Sequence, residues 1–415
     1  MTDGEKTMLI NKEIATPLYS QIKSLILQSI VTGEFKTGDK IPSEMELAAI
    51  YGVSRITTKQ ALNELMQEGV VCRVAGKGTF VKAQEEKNDI TLGVSGLREI
   101  SEEFTGKTPG LSQAAKTKMT SVGLILPYLN DTFEMGLISG VEQELRKQDC
   151  HLIIRKSGNS PEEESRAIDA LRTEGVQGLI MLPIEGMFCS ESLLKLKLDK
   201  FPFVLVDRFY RGIDTNYVVS DNYGGAYAAG KHLVELGHCH VGLVGYSPES
   251  VLSIYYRIKG FCQALADAEI PLPAARMELS LEREQVYNHN TGRPDQLAIA
   301  TIQRFLGENP KMTAIFGIND YTAVCILRAA LAMGLRVPDD LSIIGFDNNL
   351  LAANVEVPLT TVNQPKRGIG KCAAQLLKRI YENDGQATEG IVLPTELIVR
   401  MSTAAPVKSK ARIRQ

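Results

Sequence analysis

Between Ser121 and Thr403 the chain alternates seven short, unbroken apolar runs with stretches of helical periodicity, and this constrains the fold more than any other feature. The runs occupy 122–126, 152–154, 178–182, 203–206, 241–244, 313–316 and 342–346. A strand that is apolar at every position is covered on both faces, which means a parallel sheet flanked by helices. About 280 residues of this alternation exceed one comfortable open sheet, so two α/β lobes are expected.

In such sheets ligands bind beyond the carboxyl ends of the strands. The residues that follow the runs are Tyr128, Asp131 and Phe133; Asp207 and Arg208; Tyr246; Asn319 and Asp320; Asp347 and Asn348. Carboxylate, guanidinium and amide groups bond hydroxyls, and aromatic faces cover sugar C–H surfaces. The pattern fits a polyhydroxyl ligand. Asp320 and Asp221 have a plainer reading as helix caps, and Asp207 as a partner of Arg208.

The front of the chain reads differently. Thr16-Pro17 opens a helix carrying Leu18, Ile22, Leu25, Ile26 and Ile30, and Gly33 stops it. Ser43 and Glu46 form a capping box for a second helix that ends at Gly52. Ser54 caps a third, with Leu62, Leu65 and Met66 on its core face. Two strand-like runs, 70–74 and 79–81, flank the turn Ala75-Gly76-Lys77-Gly78. Helix-turn-helix plus hairpin is a winged helix.

Composition narrows the partners. Net charge over the 415 residues is −3, so a nucleic-acid surface has to concentrate its charge locally. Residues 17–82 hold eight basic and six acidic side chains, and Arg55, Lys59, Arg73 and Lys77 sit on the third helix and the hairpin. The seven cysteines are scattered without a CxxC pair, which fits a reducing compartment and small apolar fillers. The sequence has no GxSxG, no glycine-rich phosphate loop and no metal cluster, so neither enzyme chemistry, a metal nor a cofactor is expected. Residues 1–14 carry charges throughout and no apolar run spans a bilayer, so the expected location is the cytoplasm, without a membrane partner.

Two resemblances sharpen this reading. Pro17-Leu18-Tyr19-x-Gln21-Ile22, Ile41-Pro42-Ser43-Glu44, Tyr51-Gly52-Val53-Ser54-Arg55, Ala61-Leu62-x-x-Leu65 and Gly76-Lys77-Gly78-Thr79-Phe80-Val81 resemble the GntR family of bacterial regulators. The resemblance implies that the third helix enters the major groove of double-stranded operator DNA and the wing meets the minor groove or backbone. Arg55 then stands where base edges are read, and arginine suits a bidentate bond to guanine. Lys59 is one turn on, at a position often arginine in the family, and Thr58 replaces a usual aliphatic residue. Ser54 and Thr57 are expected at phosphates, as is the helix start at Ser43, while Glu44 is expected at a cytosine amino group and Arg73, Gly76, Lys77 and Thr79 bind DNA with the wing.

Val206-Asp207-Arg208, Asp221-Asn222-x-Gly224-Gly225-Ala226, Arg257-x-x-Gly260-Phe261, Asn319-Asp320, the stretch from Val337 to Asp347 and Pro358 to Pro365 resemble the LacI family effector domain. This implies a periplasmic-binding-protein-like pair of lobes joined by three crossovers. Arg257, Asn319 and Asp347 become the leading effector contacts, with Asn319 both donating and accepting. Asp207, Arg208 and Phe133 face them from the other lobe, and Tyr128, Tyr246 and Gln364 follow.

The expected organisation is a multidomain chain: an α+β winged helix at 16–82, a linker at 83–120 and an effector domain at 121–403. Its lobes are 120–238 with 366–386, and 239–364 with 387–402. The combination resembles the arabinose-responsive repressors of Gram-positive bacteria, which implies a homodimer on a two-fold operator and a sugar effector, L-arabinose foremost. The rivals are a sugar-binding receptor without regulatory role, against which the winged helix speaks, and an enzyme, which turnover of a bound sugar would reveal.

Overall fold

The computed structural model describes residues 17–31, 34–67, 70–74, 77–82, 118–129, 132–184, 189–210, 213–247, 251–286, 294–383 and 388–407. The chain forms two units, Met1–Lys118 and Met119–Gln415.

The first unit contains α1 (Leu18–Val31), β1 (Lys40–Ile41), α2 (Glu44–Tyr51), α3 (Arg55–Gln67), β2 (Val71–Val74) and β3 (Gly78–Val81). The three strands form an antiparallel sheet in the order β1-β3-β2. Ile22, Ile26, Leu47, Leu62 and Leu65 are fully buried where the helices meet. Ser43 caps α2 through a complete capping box with Glu46, and Gly52 ends it at φ +61°, a conformation glycine adopts without strain. The turn into α3 is fastened by Thr58, which is fully buried. Its hydroxyl lies 2.8 Å from the Glu44 carbonyl and 3.0 Å from that of Arg55. An aliphatic side chain there would leave α2 and α3 without this tie. Lys23 and Glu64 pair at 3.1 Å and join α1 to α3.

The second unit begins with β4 (Ser121–Leu126), α4 (Thr132–Arg146), β5 (His151–Lys156), α5 (Pro161–Thr173), β6 (Leu179–Met181), α6 (Glu191–Leu198), β7 (Phe203–Val206) and β8 (Tyr217–Ser220). It continues with α7 (Asn222–Glu235), β9 (Val241–Val244), α8 (Leu252–Asp267), β10 (Met277–Glu278), α9 (Arg283–Val286), α10 (Gln296–Glu308), β11 (Ala314–Gly317) and α11 (Asp320–Ala332). It closes with β12 (Ser342–Asp347), α12 (Leu350–Ala353), β13 (Thr360–Asn363), α13 (Lys366–Glu382), β14 (Gly390–Leu393) and β15 (Glu396–Ile398).

Each of the seven apolar runs overlaps a strand. They lie in two six-stranded sheets, ordered β14-β8-β7-β6-β4-β5 and β10-β9-β11-β12-β13-β15. Every pairing is parallel except β13 with β15. Each sheet has its own apolar core. In the second lobe α7 and α8 approach closely because Gly260 has no side chain. A Cβ there would sit 2.1 Å from the Tyr223 carbonyl oxygen. Phe261 beside it is fully buried and stacks on Phe316 with ring centroids 4.6 Å apart.

The lobe boundaries differ from those expected. Helix α7 contributes Ala226, Ala229 and Leu233 to the second lobe's core, so the first crossing follows Ser220 rather than residue 238. Strand β14 joins the first lobe's sheet beside β8, so 390–393 do not belong with the second lobe. The physical reason is that crossovers are short and half-polar, and a helix reads the same in sequence whichever sheet it covers. The chain crosses three times among the described residues, after Ser220, Asn363 and Leu393. No helix among these residues is long and apolar enough to cross a membrane. The expected linker lies outside the described residues from 83 to 117.

Candidate functional site: nucleic-acid interface and interlobe cleft

In the first unit, Arg55 opens α3 with its side chain exposed, and Lys59 is exposed one turn later. Arg73 on β2 and Lys77 in the wing turn are also exposed. Glu44, at the start of α2, accepts from Arg55 Nε at 3.1 Å and from Arg73 Nη2 at 2.8 Å. The Arg73 hydrogen bond, aided by Arg55 and opposed by desolvation, holds the Glu44 carboxyl below the usual carboxylate range. Both oxygens are therefore engaged by guanidiniums. Glu44 thus ties the third helix to the wing, and a cytosine amino group would share its oxygens with Arg55 and Arg73.

Ser54 Oγ accepts from the Thr57 backbone N–H at 3.2 Å and lies 2.8 Å from Thr57 Oγ1, so both hydroxyls first serve the helix cap. Ser43 is exposed and does the same for α2. Thr79 is 5% exposed. Strand alternation puts it on the inner face with Val81, so its side chain cannot reach a duplex, and that expectation is withdrawn. Gly76 lies outside the described residues. Sequence reading missed Met45 and Ile56, which are 68% and 79% exposed beside Glu44 and Arg55. The available signal was their position off the inward stripe of Leu47, Ala61, Leu62 and Leu65.

In the second unit a cavity of about 340 Å³ lies between the lobes. Its wall brings together Phe133, Asp207 and Arg208 from the first lobe with Tyr246, Arg257, Asn319 and Asp347 from the second, and Gln364 at a crossing. Tyr128 follows β4 but does not border it. Each lobe presents a strand-end aspartate in a left-handed backbone conformation: Asp207 after β7 at φ +68°, and Asp347 at the end of β12 at φ +107°. Such strain in non-glycine residues collects at binding sites, where the surrounding structure holds it.

Arg257 is the centre of the wall. It is 4% exposed, on the cleft side of α8. Its Nε donates to Asn222 Oδ1 at 2.8 Å, Nη1 to the Ile318 carbonyl at 3.0 Å, and Nη2 lies 3.0 Å from Asp347 Oδ1. The guanidinium carbon stands 3.9 Å from the centre of the Phe346 ring. Three of five N–H groups are thus engaged, and two are left to donate. Gln364 Nε2 donates to Asp347 Oδ1 at 2.6 Å. The buried Gln364 Oε1 finds no hydrogen-bond partner among the described residues.

Asn319 differs from its expected role. It caps α11, its Oδ1 accepting from the Thr322 backbone N–H and hydroxyl, both at 2.9 Å. Nδ2 reaches Tyr246 Oη at 3.3 Å. Its oxygen is used up, so Asn319 can serve a ligand only as a donor. Asp320, the other cap candidate, is fully buried and accepts from the Asn349 N–H at 2.7 Å and the Thr361 hydroxyl at 2.5 Å. Burial first, and the Asp347 charge second, push its carboxyl up to about 8. Asp221 does cap α7, accepting from the Gly224 N–H at 2.7 Å. Arg208 Nε pairs with Asp207 at 3.4 Å.

Glu134, Glu282, Ser253 and Tyr321 also line the cavity and were not foreseen. They lie inside helices or loops rather than at strand ends. The lining carries four carboxylates, Glu134, Asp207, Glu282 and Asp347, against two guanidiniums, Arg208 and Arg257.

A winged helix joined to a two-lobed cleft domain of this kind defines a ligand-responsive DNA-binding regulator. The chain belongs to the GntR family of bacterial regulatory proteins, in the branch that carries a periplasmic-binding-protein-like effector domain. The profile of the bacterial regulatory proteins of the gntR family matches residues 18–81, and that of the periplasmic binding protein-like domain matches 231–403. The arabinose metabolism transcriptional repressor of Geobacillus stearothermophilus is 31% identical over 396 residues, covering 94% of this chain and 99% of the relative. Its counterpart in Halalkalibacterium halodurans is 28% identical over 400 residues, covering 94% and 96%. Among solved structures, a putative ribose operon repressor from Burkholderia thailandensis aligns with a TM-score of 0.57 at 26% identity, covering 68% of this chain and 99% of that one. A LacI family regulator from Enterococcus faecium with bound ribose aligns at 0.55 and 26%, covering 69% and 99%.

Proposed function

We propose that this protein is a homodimeric repressor of sugar-utilisation genes, whose hold on operator DNA is loosened when a neutral sugar binds between the lobes. The observation that carries the reading is the cleft's charge balance together with its hydrogen-bonding order. Four carboxylates against two guanidiniums, both paired, disfavour an anionic ligand such as a sugar phosphate. Donors on Arg257 and Asn319 and the carboxylate acceptors of Asp207 and Asp347 meet the alternating needs of hydroxyl groups, while Phe133 and Tyr246 supply apolar and ring surface. The arabinose metabolism repressors among its relatives make L-arabinose, free or as a unit of a saccharide, the leading effector.

On DNA, Arg55 would read a base edge in the major groove, held in place by Glu44, with Lys59 following it. Exposed Ile56 and Met45 are suited to thymine methyl groups. Ser43, Ser54, Thr57, Arg73 and Lys77 would meet phosphates. Two winged helices reading half-sites match a two-fold axis, which is why a homodimer is proposed.

Sugar can release DNA only by binding one arrangement of the dimer better than the other. Closure of Asp207 and Phe133 onto Arg257 and Asp347 would supply that difference. The test is operator binding by the full chain, by fluorescence anisotropy, across neutral pentoses and hexoses and their phosphates. A neutral sugar should weaken binding and its phosphate should not. If only phosphorylated sugars act, the reading fails.

A further inference from the structure

The effector cleft does not end at Asp207 and Arg208. Those two residues and Ser253 also border a second cavity, of about 220 Å³. The Arg257–Asn222 hydrogen bond of 2.8 Å links the walls, since Arg257 lines the first cavity and Asn222 the second. The two therefore share a boundary of three side chains, Asp207, Arg208 and, in the first turn of α8, Ser253. Small-molecule sites span about 300–1,000 Å³, a range that accommodates both cavities taken together.

The chemistry of the second cavity is distinctive. Phe209, Tyr217, Tyr223 and Tyr256 surround it, and Phe209 stacks on Tyr217 with centroids 4.1 Å apart. Aromatic faces of this kind cover the C–H surfaces of sugar rings. Asp207 and Asp221 oppose a single guanidinium, Arg208, which disfavours an anion as in the main cleft. Ser220, 3% exposed, borders the cavity, and its buried Oγ finds no hydrogen-bond partner among the described residues.

We propose that the second cavity is a subsite for a further sugar ring, so that the effector is a disaccharide or longer saccharide spanning both cavities. The inference rests on the neutral-sugar reading of the main cleft. The first ring lies against Arg257, Asp347 and Gln364. The glycosidic link passes Asp207, Arg208 and Ser253, and the second ring packs among the tyrosines.

Calorimetric titration of the full chain tests this with matched pairs: L-arabinose and arabinobiose, D-xylose and xylobiose, D-glucose with cellobiose and maltose. One disaccharide should bind at least about tenfold more tightly than its monosaccharide. Val392→Trp should fill the second cavity from the exposed strand β14, and Tyr256→Ala should remove a wall. Each should bring the disaccharide down to the monosaccharide's affinity and leave the monosaccharide's unchanged, which also reports correct folding. Equal binding of the members of every pair, or a disaccharide advantage that survives both variants, overturns the subsite and leaves the neutral-sugar reading standing. Absence of binding by every saccharide overturns both.

Discussion

Arg257 Nη2 lies 3.0 Å from Asp347 Oδ1, so the cation and the anion foremost in the cleft already hold each other before any ligand arrives. The pair is prepaid geometry: neither side chain has to be ordered when the sugar binds. Asp347→Asn removes the counter-ion of an arginine that is 4% exposed. Breaking a buried pair from one side costs about 3–5 kcal/mol. The variant should melt lower, lose at least about 100-fold in sugar affinity, and stay on its operator at sugar concentrations that release the wild type. Thermal melts, calorimetry and operator anisotropy check the three effects separately.

Glu44 gives a test of sign. If it merely stood near phosphates, Glu44→Gln would strengthen DNA binding by removing a negative charge. Because it holds Arg55 at 3.1 Å and Arg73 at 2.8 Å, the same variant should instead weaken operator binding, by about tenfold. Anisotropy at one fixed salt concentration decides between the two, since the predicted changes are opposite.

Arg55 and Lys77 should fail differently. Arg55→Ala should cost about 1–3 kcal/mol and relax discrimination at one base pair. Lys77→Ala should weaken all sequences alike and reduce the slope of log affinity against log salt by about 0.9. Salt titrations on specific and scrambled duplexes distinguish them.

Asp320 predicts a pH dependence. Its folded carboxyl is raised to about 8 by burial and by Asp347, above the ordinary unfolded value of about 4. Between these values the native state binds a proton that the unfolded state does not. Stability is therefore lost as pH rises from about 4 towards 8, and levels off above. Asp320→Asn should flatten this part of the profile. Denaturant melts of both proteins at intervals across that window measure it, and parallel profiles would contradict the assignment.

The sheets were legible in the sequence because burial on both faces leaves a strand apolar at every position, as in 241–244 and 314–316. The cleft was legible because parallel strands deliver their ends to one edge, which brought Asp207 and Asp347 together from 140 positions apart in sequence. What was not legible depended on contacts between distant segments. Periodicity could not say that α7 covers the second sheet. The Arg73–Glu44 pair spans 29 positions with no local signature. Asn319 and Asp320 are neighbours of equal capping power, and only the packing of Asn349 and Thr361 around Asp320 decides that Asn319 takes the cap. Thr79 faces inward because one face of the hairpin packs inward, and a four-residue strand is too short for its alternation to say which face that is.

The central claim is that the cleft and the winged helix are energetically coupled. The most direct measurement is the operator affinity of the protein with and without a saturating concentration of its tightest-binding neutral saccharide, at constant salt. A fall of at least about tenfold, abolished by Asp347→Asn, is the predicted result. Equal affinity in the two conditions, with saccharide binding verified in the same sample, would contradict it.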